Sequence, residues 1–374
     1  MKTTCLQEHL RKSLITIERI VGRNLTLPIL NNVLLKTEKG KLKISSTNLE
    51  IGINTWIPAK VDQDGSITVP VKILSSFISG LPSGKKVQME LKNEILIIRC
   101  EKFKAEINSQ SADEFPIIPK VDGKNINNLP IDEFINGLTQ VVDMAAQTET
   151  RPEFSGILAK FEKNNLKLAA TDGFRLAEKN INFANNEINS LVIPQRTIQE
   201  ILRIIQDKDG NKKNIKLILG NNQILVEFGD VQLISRLIEG QYPDYQTIIP
   251  KSFVLEVFLN KKELEESIRL AGFFSSKISD VKFLLQIDKN VLKIFSQNVD
   301  VGANESQIDA SVKGSGKGKN KELSISFNFK YLIDGLNNIK NQKVFLGFNN
   351  ESSPLLLRGE NDDSYIYVVM PLKV

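Results

Sequence analysis

The sequence is poor in the residues that most often build metal centres and covalent catalysts. Among 374 residues there is one histidine, His9, and there are two cysteines, Cys5 and Cys100. These numbers exclude a metal site made of histidine and cysteine side chains, although carboxylate sites stay open. Neither cysteine has the partner spacing that an activated nucleophile needs. We therefore expect no catalytic residue, no metal ion and no cofactor, and we expect His9 to be a solvated or capping residue of a helix.

Disulfide frameworks and long hydrophobic runs are missing as well. Two cysteines cannot form a framework of bridges, and they fit a reducing compartment. No run of about 18 apolar residues is available for a membrane span. The first residues, MKTTCLQEHLRKSL, contain no apolar core of a signal peptide. We therefore expect a cytoplasmic protein that has no membrane partner.

Charge is present but mild. The formal net charge is +5, with 25% charged and 41% hydrophobic residues, which is ordinary for a globular protein. Cut after residues 120 and 250, the three segments carry +6, −3 and +2. This distribution permits a nucleic-acid partner without requiring one.

A threefold internal repeat is the most informative pattern in the chain. Residues 40–48, 164–172 and 290–298 read GKLKISSTN, NNLKLAATD and NVLKIFSQN, and they share an alternating strand pattern. A second marker, a strand followed by a helix, begins at Thr68, Val192 and Ser326. We therefore predict three similar domains, with boundaries at residues 1–120, 121–250 and 251–374.

Each repeat is expected to contain two amphipathic helices. Their apolar residues recur at helical spacing, which marks one face of a helix. The predicted buried positions are Leu6, Leu10, Leu14 and Ile17; Leu74, Phe77, Ile78 and Leu81; Phe134, Leu138, Val141 and Ala145; Ile198, Ile201, Leu202 and Ile205; Leu264, Ile268 and Ala271; and Leu332, Gly335, Leu336 and Ile339. Capping boxes are predicted at Thr4 with Gln7 and at Asn260 with Glu263. The fold class is therefore α+β, with two helices packed on antiparallel sheet in each domain.

Two loops have a partial likeness to ligand-binding motifs. GSGKGK at 314–319 lacks the spacing of a phosphate-binding loop and the helix that follows it, so we interpret it as a solvated hairpin loop. GENDDS at 359–364 is open to two interpretations, a cation-binding loop or a turn between two strands, and the turn is the simpler one.

Four stretches carry a resemblance to a known family. They are LTLPILNNVLL (25–35), ATDGFRLAE (170–178), YPDY (242–245) and the ending YVVMPLKV (367–374). Together and in this order they resemble the bacterial DNA sliding clamps, the beta subunits of DNA polymerase III. The resemblance covers essentially the whole chain and agrees with the threefold repeat.

The resemblance implies a DNA polymerase processivity factor that is not an enzyme. The expected assembly is a head-to-tail homodimeric ring of the DNA-clamp fold, which encircles duplex DNA without sequence preference and is opened by a separate ATP-driven loader. Heterologous contacts of this kind close into a ring when the rotation allows it. Weak phosphate contacts suit a sliding ring, because each neutralised phosphate adds affinity and salt dependence.

A hydrophobic peptide-binding pocket is also implied by the resemblance. It borders the C-terminal strand and takes short linear motifs from DNA polymerases, the clamp loader and repair proteins. Matched position by position, the lining is Phe154, Thr171, Gly173, Phe174, Arg175, Leu176, Pro243, Thr247, Ile248, Ile278, Asn328, Tyr331, Pro354, Val368, Met370, Pro371 and Leu372. Leu176 and Val368 alternate within predicted strands, so a plain core role is the alternative for both.

Three positions of the pocket region depart from the family pattern. Phe174 stands where histidine is frequent, Thr247 where arginine is common and Val374 where leucine often ends the chain. We expect such differences to shift the preference for particular motifs without removing the site.

Basic residues on the predicted helices are the expected DNA contacts. They are Lys12, Arg23, Lys72, Arg196 and Arg203. The family commonly has a basic residue directly before TLPIL, whereas here Asn24 fills that position and Arg23 lies one place earlier. For each of the five, an ordinary solvated charge is the alternative. No aromatic residues are interleaved for stacking on single strands, which favours duplex DNA.

Two other functions compete with this interpretation. One is a hydrolase or transferase with an unrecognised carboxylate site, which a metal-dependent activity lost on substituting Asp172 would support. The other is a protein-only scaffold built from repeats.

Overall fold

The chain divides into two compact units. The computed structural model describes residues 1–22, 26–147, 151–206, 214–314 and 322–373. Arg23, Val374 and nearly all of the GSGKGK stretch lie outside the described residues. The first unit comprises Met1–Asp132 and Arg196–Leu237, and the second comprises Glu133–Gln195 and Ile238–Val374.

Helices and strands alternate along the whole described chain. The α-helices are α1 (Gln7–Glu18), α2 (Val71–Ser79), α3 (Ile131–Val142), α4 (Gln195–Gln206), α5 (Lys261–Gly272) and α6 (Phe329–Asn337). The strands are β1 (Lys2–Leu6), β2 (Asn32–Glu38), β3 (Lys41–Thr47), β4 (Ile51–Gln63), β5 (Ser66–Pro70), β6 (Lys86–Lys92), β7 (Ile95–Cys100), β8 (Phe103–Asn108), β9 (Lys124–Pro130), β10 (Gly156–Glu162), β11 (Asn165–Thr171), β12 (Arg175–Asn182), β13 (Asn189–Pro194), β14 (Asn214–Leu219), β15 (Gln223–Phe228), β16 (Val231–Arg236), β17 (Leu255–Asn260), β18 (Asp280–Gln286), β19 (Val291–Asn298), β20 (Gly302–Asp309), β21 (Ser311–Gly314), β22 (Glu322–Asn328), β23 (Lys343–Phe348), β24 (Leu355–Gly359) and β25 (Asp362–Val369). Short 3₁₀ helices occupy Pro28–Asn31, Ala112–Glu114, Pro152–Ser155, Tyr245–Thr247 and Ile287–Lys289.

The element order repeats three times. Each repeat has a strand, a helix, four strands, a second helix and three strands, beginning at β1, β9 and β17, and the third repeat adds the short β21. The two sequence markers correspond to β3, β11 and β19, and to the strand-to-helix steps β5–α2, β13–α4 and β22–α6. The threefold repeat and the α+β fold class are confirmed.

Antiparallel sheets connect successive repeats. In the first unit a 12-stranded sheet follows the order β8-β7-β6-β1-β4-β16-β15-β14-β9, with β2, β3 and β5 joined to it beside β4. In the second unit one sheet follows the order β13-β10-β11-β12-β25-β24-β23-β17-β21, and a smaller one follows β20-β19-β18-β22. Two pairings therefore join strands of different repeats: β4 with β16, and β12 with β25.

The predicted helix faces are buried, with two exceptions in the first repeat. Leu6 is exposed at the end of β1, and Phe77 is half-buried. The other predicted positions all lie in the core. Because the helical spacing places these side chains on one stripe, their burial attaches each helix to its sheet.

One of the two predicted capping boxes is wrong. Asn260 caps α5, because its side chain accepts hydrogen bonds from the backbone N–H groups of Lys262 and Glu263. Thr4 does not cap α1; it lies inside β1, and the cap position is Leu6, which makes no side-chain cap bond. Gln7 instead donates from its side chain to the carbonyl of Ile78, at 2.7 Å.

The GENDDS stretch forms a turn. β24 ends at Gly359 and β25 begins at Asp362, with Asn361 in the left-handed region at φ 58°. The carboxylate of Asp362 accepts hydrogen bonds from the backbone N–H and the hydroxyl of Ser364, at 2.9 and 2.6 Å. The Asp362 carboxylate therefore serves as a hydrogen-bond acceptor within the turn.

No helix in the described part of the chain is long and apolar enough to cross a membrane. Across the described ranges, no three side chains of the His, Cys, Asp and Glu types gather as a metal site would require.

Tyrosine side chains are concentrated in the second unit, where most of them contribute to the core. All five tyrosines of the chain lie in this unit, at Tyr242, Tyr245, Tyr331, Tyr365 and Tyr367. Burial raises the pKa of every one of them above the ordinary value. The neutral phenols are therefore part of the packed core.

This arrangement predicts an alkaline limit to stability. A free tyrosine ionises near pH 10, so an unfolded chain forms phenolates from about that pH upward. Because the folded pKa values are raised, the stability that these groups contribute is present below about pH 10 and is lost as pH rises through the folded values. We expect near-ultraviolet absorbance to report phenolate formation only together with the loss of circular dichroism. The same titration in denaturing urea serves as the control. Full ionisation with an ordinary pKa, in a chain whose circular dichroism is unchanged, would contradict this assignment.

Candidate functional site at the carboxyl-terminal strand

The last strand of the chain is an interior strand of its sheet. β25 pairs with β24 on one side and with β12 on the other. Val368 faces Leu356 across one ladder and Leu176 across the other, and all three side chains are buried in one hydrophobic cluster. Leu176 and Val368 are thus core residues, as the alternative interpretation stated. The apolar ending of the sequence is explained by this buried position.

Beyond the strand, the final residues remain attached to the protein. The backbone N–H of Met370 donates to the carbonyl of Phe174, and that of Leu372 donates to the carbonyl of Ser326, both at 2.8 Å. The side chains of Met370, Pro371 and Leu372 are half-buried. The tail therefore lies along the protein surface with part of its apolar area accessible.

A tight turn between β11 and β12 presents Phe174 to solvent. The carboxylate of Asp172 accepts hydrogen bonds from the backbone N–H groups of Phe174 and Arg175, at 2.9 and 3.0 Å. The hydroxyl of Thr171 accepts one from Gly173, which lies in the left-handed region at φ 88° where a side chain is disfavoured. Phe174 is 62% exposed as a result. The motif TDGFR thus encodes a turn that holds an aromatic ring outward.

Arg175 connects this turn to helix α6. Its Nε donates to Asp172 at 2.9 Å, and its guanidinium also pairs with the carboxylate of Asp334. The guanidinium carbon lies 4.6 Å from the centre of the Tyr331 ring, a cation–π contact. Burial works against the charge, but Tyr367 and the two carboxylates outweigh it and raise the pKa of Arg175. Arg175 therefore stays cationic and fixes Tyr331 beside the turn.

A second set of predicted residues is arranged around Tyr242. The rings of Phe154 and Tyr242 meet edge to face with centres 6.3 Å apart, and Tyr242 meets Tyr245 in the same way at 6.2 Å. The hydroxyl of Tyr245 donates to the buried carboxylate of Glu178 at 2.6 Å. These contacts hold the segment that carries the half-buried Pro243 and the exposed Thr247 and Ile248.

The remaining predicted residues lie at the ends of neighbouring elements. Asn328 caps α6 by accepting a hydrogen bond from Lys330 N, and its amide donates to the carbonyl of Ile278 at 3.5 Å. Ile278 is 55% exposed. Pro354 directly precedes β24, whose first residue pairs with Val369, so it lies at the same end of the sheet as Met370.

Direct contacts join several of the predicted residues of the second unit in pairs: Phe174 with Met370, Arg175 with Tyr331, and Asn328 with Ile278. The candidate client surface, which the predicted residues define, presents Phe174, Ile248 and Ile278 exposed, and Met370 and Leu372 half-buried. Contiguous exposed apolar area on a protein surface is typical of an interaction site. The arrangement suits an apolar peptide segment, and Arg175, Asn328 and Thr247 supply polar groups nearby.

Sequence reasoning missed the residues that hold this surface in place. Asp334 lies 159 positions from Arg175, so nothing in the local sequence indicates their pairing. Glu178 ends the quoted motif ATDGFRLAE, yet its role as the acceptor for Tyr245 needs the fold. In the sequence, the one signal that points to Glu178 is a carboxylate placed within a predicted strand.

The predicted DNA contacts lie on three helices of the first unit. Lys12 is on α1, Lys72 on α2, and Arg196 and Arg203 on α4, and all four side chains are exposed. Arg203 pairs with the buried Glu200 at 2.6 Å. Within the described ranges the other three have no ion-pair partner.

Comparison with known proteins identifies the family. Three family models match in order: the N-terminal domain of the DNA polymerase III beta subunit over residues 1–119, its central domain over 128–244 and its C-terminal domain over 246–373. A beta sliding clamp of Synechocystis is 30% identical over 397 residues, and that of Bacillus subtilis is 26% identical over 389, each covering 100% of both chains.

Solved structures agree with this identification. The DNA polymerase III subunit beta of Pseudomonas aeruginosa superimposes with a TM-score of 0.93 at 25% identity, covering 100% of both chains. The sliding clamp of Bacillus subtilis gives 0.93 at 26% identity, covering 100% of this chain and 99% of the other. Neither the hydrolase or transferase alternative nor the scaffold alternative finds support among these proteins. The chain therefore belongs to the DNA polymerase III beta subunit family, the bacterial sliding clamps, and is a non-catalytic processivity factor of DNA replication.

Proposed function

We propose that two copies of this chain close head to tail into a ring around duplex DNA in the cytoplasm. Each copy contributes three domains, at residues 1–120, 121–250 and 251–374. Polymerases, the clamp loader and repair proteins bind the surface at the end of β25 through short linear motifs. The exposed basic residues Lys12, Lys72, Arg196 and Arg203 contact phosphates without reading sequence.

The proposed ring is supported by one observation: the fourth strand of a repeat pairs with the last strand of the next repeat. The fourth strand of the first repeat, β4, pairs with the last strand of the second, β16; likewise β12 of the second repeat pairs with β25, the last strand of the third. Among the strands of the described residues, the fourth strand of the third repeat, β20, and the last strand of the first repeat, β8, each have one edge without a pairing strand. Unpaired edges are templates for pairing with another chain. β20 of one copy paired with β8 of a second copy, twice over, closes a ring.

Exposed apolar residues flank both free strands. In the third repeat these are Leu270 and Phe273, which is 75% exposed, at the end of α5. In the first repeat they are Ile73 on α2 and Phe103 on β8. Burial of such residues against a second copy provides the apolar contribution that a stable association needs.

The strand register at the two internal junctions also predicts the register of the proposed pairing between β20 of one copy and β8 of the other. Across them, Ile53 faces Leu233 and Ala177 faces Tyr367. Ile53 and Ala177 occupy equivalent positions on the fourth strands of the first and second repeats. Asn304 occupies the same position on β20, the fourth strand of the third repeat. Leu233 and Tyr367 occupy equivalent positions on the last strands of the second and third repeats. Ala105 occupies the same position on β8, the last strand of the first repeat.

Ala105 of one copy therefore lies opposite Asn304 of the other. The next pair along this antiparallel register is Lys104 with Glu305, which brings opposite charges together on one face. Within its own copy each of these two already has an ion-pair partner, at 2.6 Å in both cases. The proposed junction thus gives Lys104 and Glu305 a second partner of opposite charge, in addition to the one that each has within its own copy.

The junction predicts a site-specific crosslink between copies. We expect the double variant Ala105→Cys, Asn304→Cys to form a covalent dimer on mild oxidation, because opposed residues of antiparallel strands lie within disulfide reach. Native Cys5 and Cys100 are buried and stay unreacted. Denaturing electrophoresis without reductant detects the product.

The matched control is Ala105→Cys with Ser306→Cys, which is two residues out of register. The crosslinked ring should stay on nicked circular DNA in high salt and be released when the DNA is cut. A folded double variant that yields no dimer, or as much dimer as the out-of-register control, would refute the proposed junction.

The client surface predicts a loss of peptide binding on removal of the tail. A labelled peptide of the Gln-Leu-x-Leu-Phe type should bind the intact chain and not a chain that lacks residues 370–374. Phe174→Ala should weaken binding about tenfold or more, because a buried aromatic contact contributes roughly 1.5–3 kcal/mol. Fluorescence anisotropy measures both effects.

Val299→Ala is the control for Phe174→Ala, because Val299 is an exposed apolar residue of the same unit, at 98% against 62% for Phe174. Circular dichroism establishes that the truncated chain still folds. Undiminished binding to a folded, truncated chain would disprove the placement of the client site.

A further inference from the structure

Each internal junction between repeats encloses a cavity. In the first unit a cavity of about 320 Å³ lies between α1, β4 and the start of β16. In the second unit a cavity of about 320 Å³ lies between α3, β12 and β25. The two have equivalent places in the repeat, because adding 124 to the lining positions on α1 and β4, except Ser13, gives those on α3 and β12. The fold itself therefore produces a cavity wherever one repeat meets the next.

The two cavities differ sharply in the residues that line them. Equivalent positions are His9 and Glu133, Lys12 and Asn136, Thr55 and Lys179, and Trp56 and Asn180. The second unit folds around its cavity without a basic group at the first two of these positions. The second cavity has its own lysines, Lys179 and Lys340, at other places. The fold therefore does not require His9, Lys12 and Trp56 at their positions in the first cavity.

The basic groups at the first cavity have spare binding capacity. Lys12, Lys41 and His9 line it, are exposed, and have no side-chain hydrogen bond or ion pair with any residue that the structure describes. Asp230, the acidic residue of the lining, already has a partner within the protein. The balance of free charge around this cavity is therefore positive, which favours an anion.

The inner part of the cavity has hydroxyl groups and an aromatic wall. Ser13 and Thr55 are 6% and 1% exposed, and the one side-chain bond of each is to the other, at 3.4 Å, which is long for two hydroxyls. Trp56 is half-buried, and its Nε1 donates to Glu38 at 3.2 Å, which fixes the orientation of the indole. A held aromatic plane beside two hydroxyls that share one long hydrogen bond suits a flat ring that carries polar substituents.

We propose that this cavity is a binding site for a small aromatic anion, of the size and chemistry of a nucleoside monophosphate. The ring lies against Trp56, the sugar or other polar substituents reach Ser13 and Thr55, and the phosphate or carboxylate is held by Lys12, Lys41 and His9. A volume of about 320 Å³ accommodates a molecule of this size.

The single tryptophan of the chain makes the test direct. Trp56 lines the cavity, so its fluorescence reports on occupancy without a label. The intact protein, free of DNA, is titrated with adenosine 5′-monophosphate, with adenosine and with ribose 5-phosphate. We expect a saturable change with the nucleotide and at least tenfold weaker binding of the other two, because each lacks one half of the recognised chemistry.

Variants assign the binding to this cavity. Lys12→Gln with Lys41→Gln should weaken nucleotide binding at least tenfold, whereas the exposed control Lys86→Gln should leave it unchanged. Isothermal titration calorimetry repeats the measurement with Trp56→Phe, for which a several-fold loss is expected. All substituted lysines are exposed, and circular dichroism verifies the fold.

Three results would overturn the proposal. They are no saturable fluorescence change in the intact protein, adenosine binding as tightly as the nucleotide, and unchanged nucleotide affinity in the double lysine variant. If the double variant instead weakens retention on duplex DNA while the intact protein ignores the nucleotide, the two lysines serve as phosphate contacts for DNA and the proposal is wrong.

Discussion

The fourth strand of each repeat has an edge that its own repeat does not complete, and the rest of this structure depends on this constraint. A strand edge exposes backbone donors and acceptors that must be satisfied. Here the edges of β4 and β12 are completed by β16 and β25, the last strands of the following repeats. The second and third repeats do not complete their own fourth strands in this way, because their last strands, β16 and β25, pair with the preceding repeats. The repeats are therefore tied to one another by main-chain hydrogen bonds as well as by side-chain packing.

The same constraint explains why an apolar strand ends the chain. β25 has to be buried on both faces and paired on both edges, because it is the strand that completes β12. Tyr365 and Tyr367 are consequently almost fully buried, and the next residues, 370–373, emerge beside the turn that presents Phe174. The candidate client surface is thus assembled where two repeats meet, and elements of both contribute to it. A surface of this kind depends on the junction, since β25 carries the tail to its place.

Sequence patterns predicted what is local and missed what is distant. Helix faces follow from spacing within a dozen residues, and Leu10, Leu14 and Ile17 are buried as the spacing predicts. The capping box at Thr4 failed because β1 continues to Leu6, paired with β4 and β6, so tertiary pairing overrides the local cap signal. The ion pair of Arg175 with Asp334 and the pairing of β12 with β25 connect distant positions, and no single-sequence signal encodes them. The site residues themselves followed from the resemblance, and their roles in binding stay predictions.

The three repeats also separate what the fold requires from what it leaves free. Equivalent core positions on the first helix of each repeat keep an apolar side chain and vary only in size: Leu10, Phe134 and Leu264; Leu14, Leu138 and Ile268; Ile17, Val141 and Ala271. Exposed positions on the same helices change in charge: Lys12, Asn136 and Glu266 occupy one place, and His9, Glu133 and Glu263 another. Packing fixes the first set, because a polar or absent side chain there would leave buried groups unsatisfied or a void. Nothing in the packing fixes the second set, since solvated charges of either sign are tolerated on a helix surface. Binding can therefore set the charge at these places, which is basic in the first repeat and neutral or acidic in the other two, without disturbing the packing of the helix.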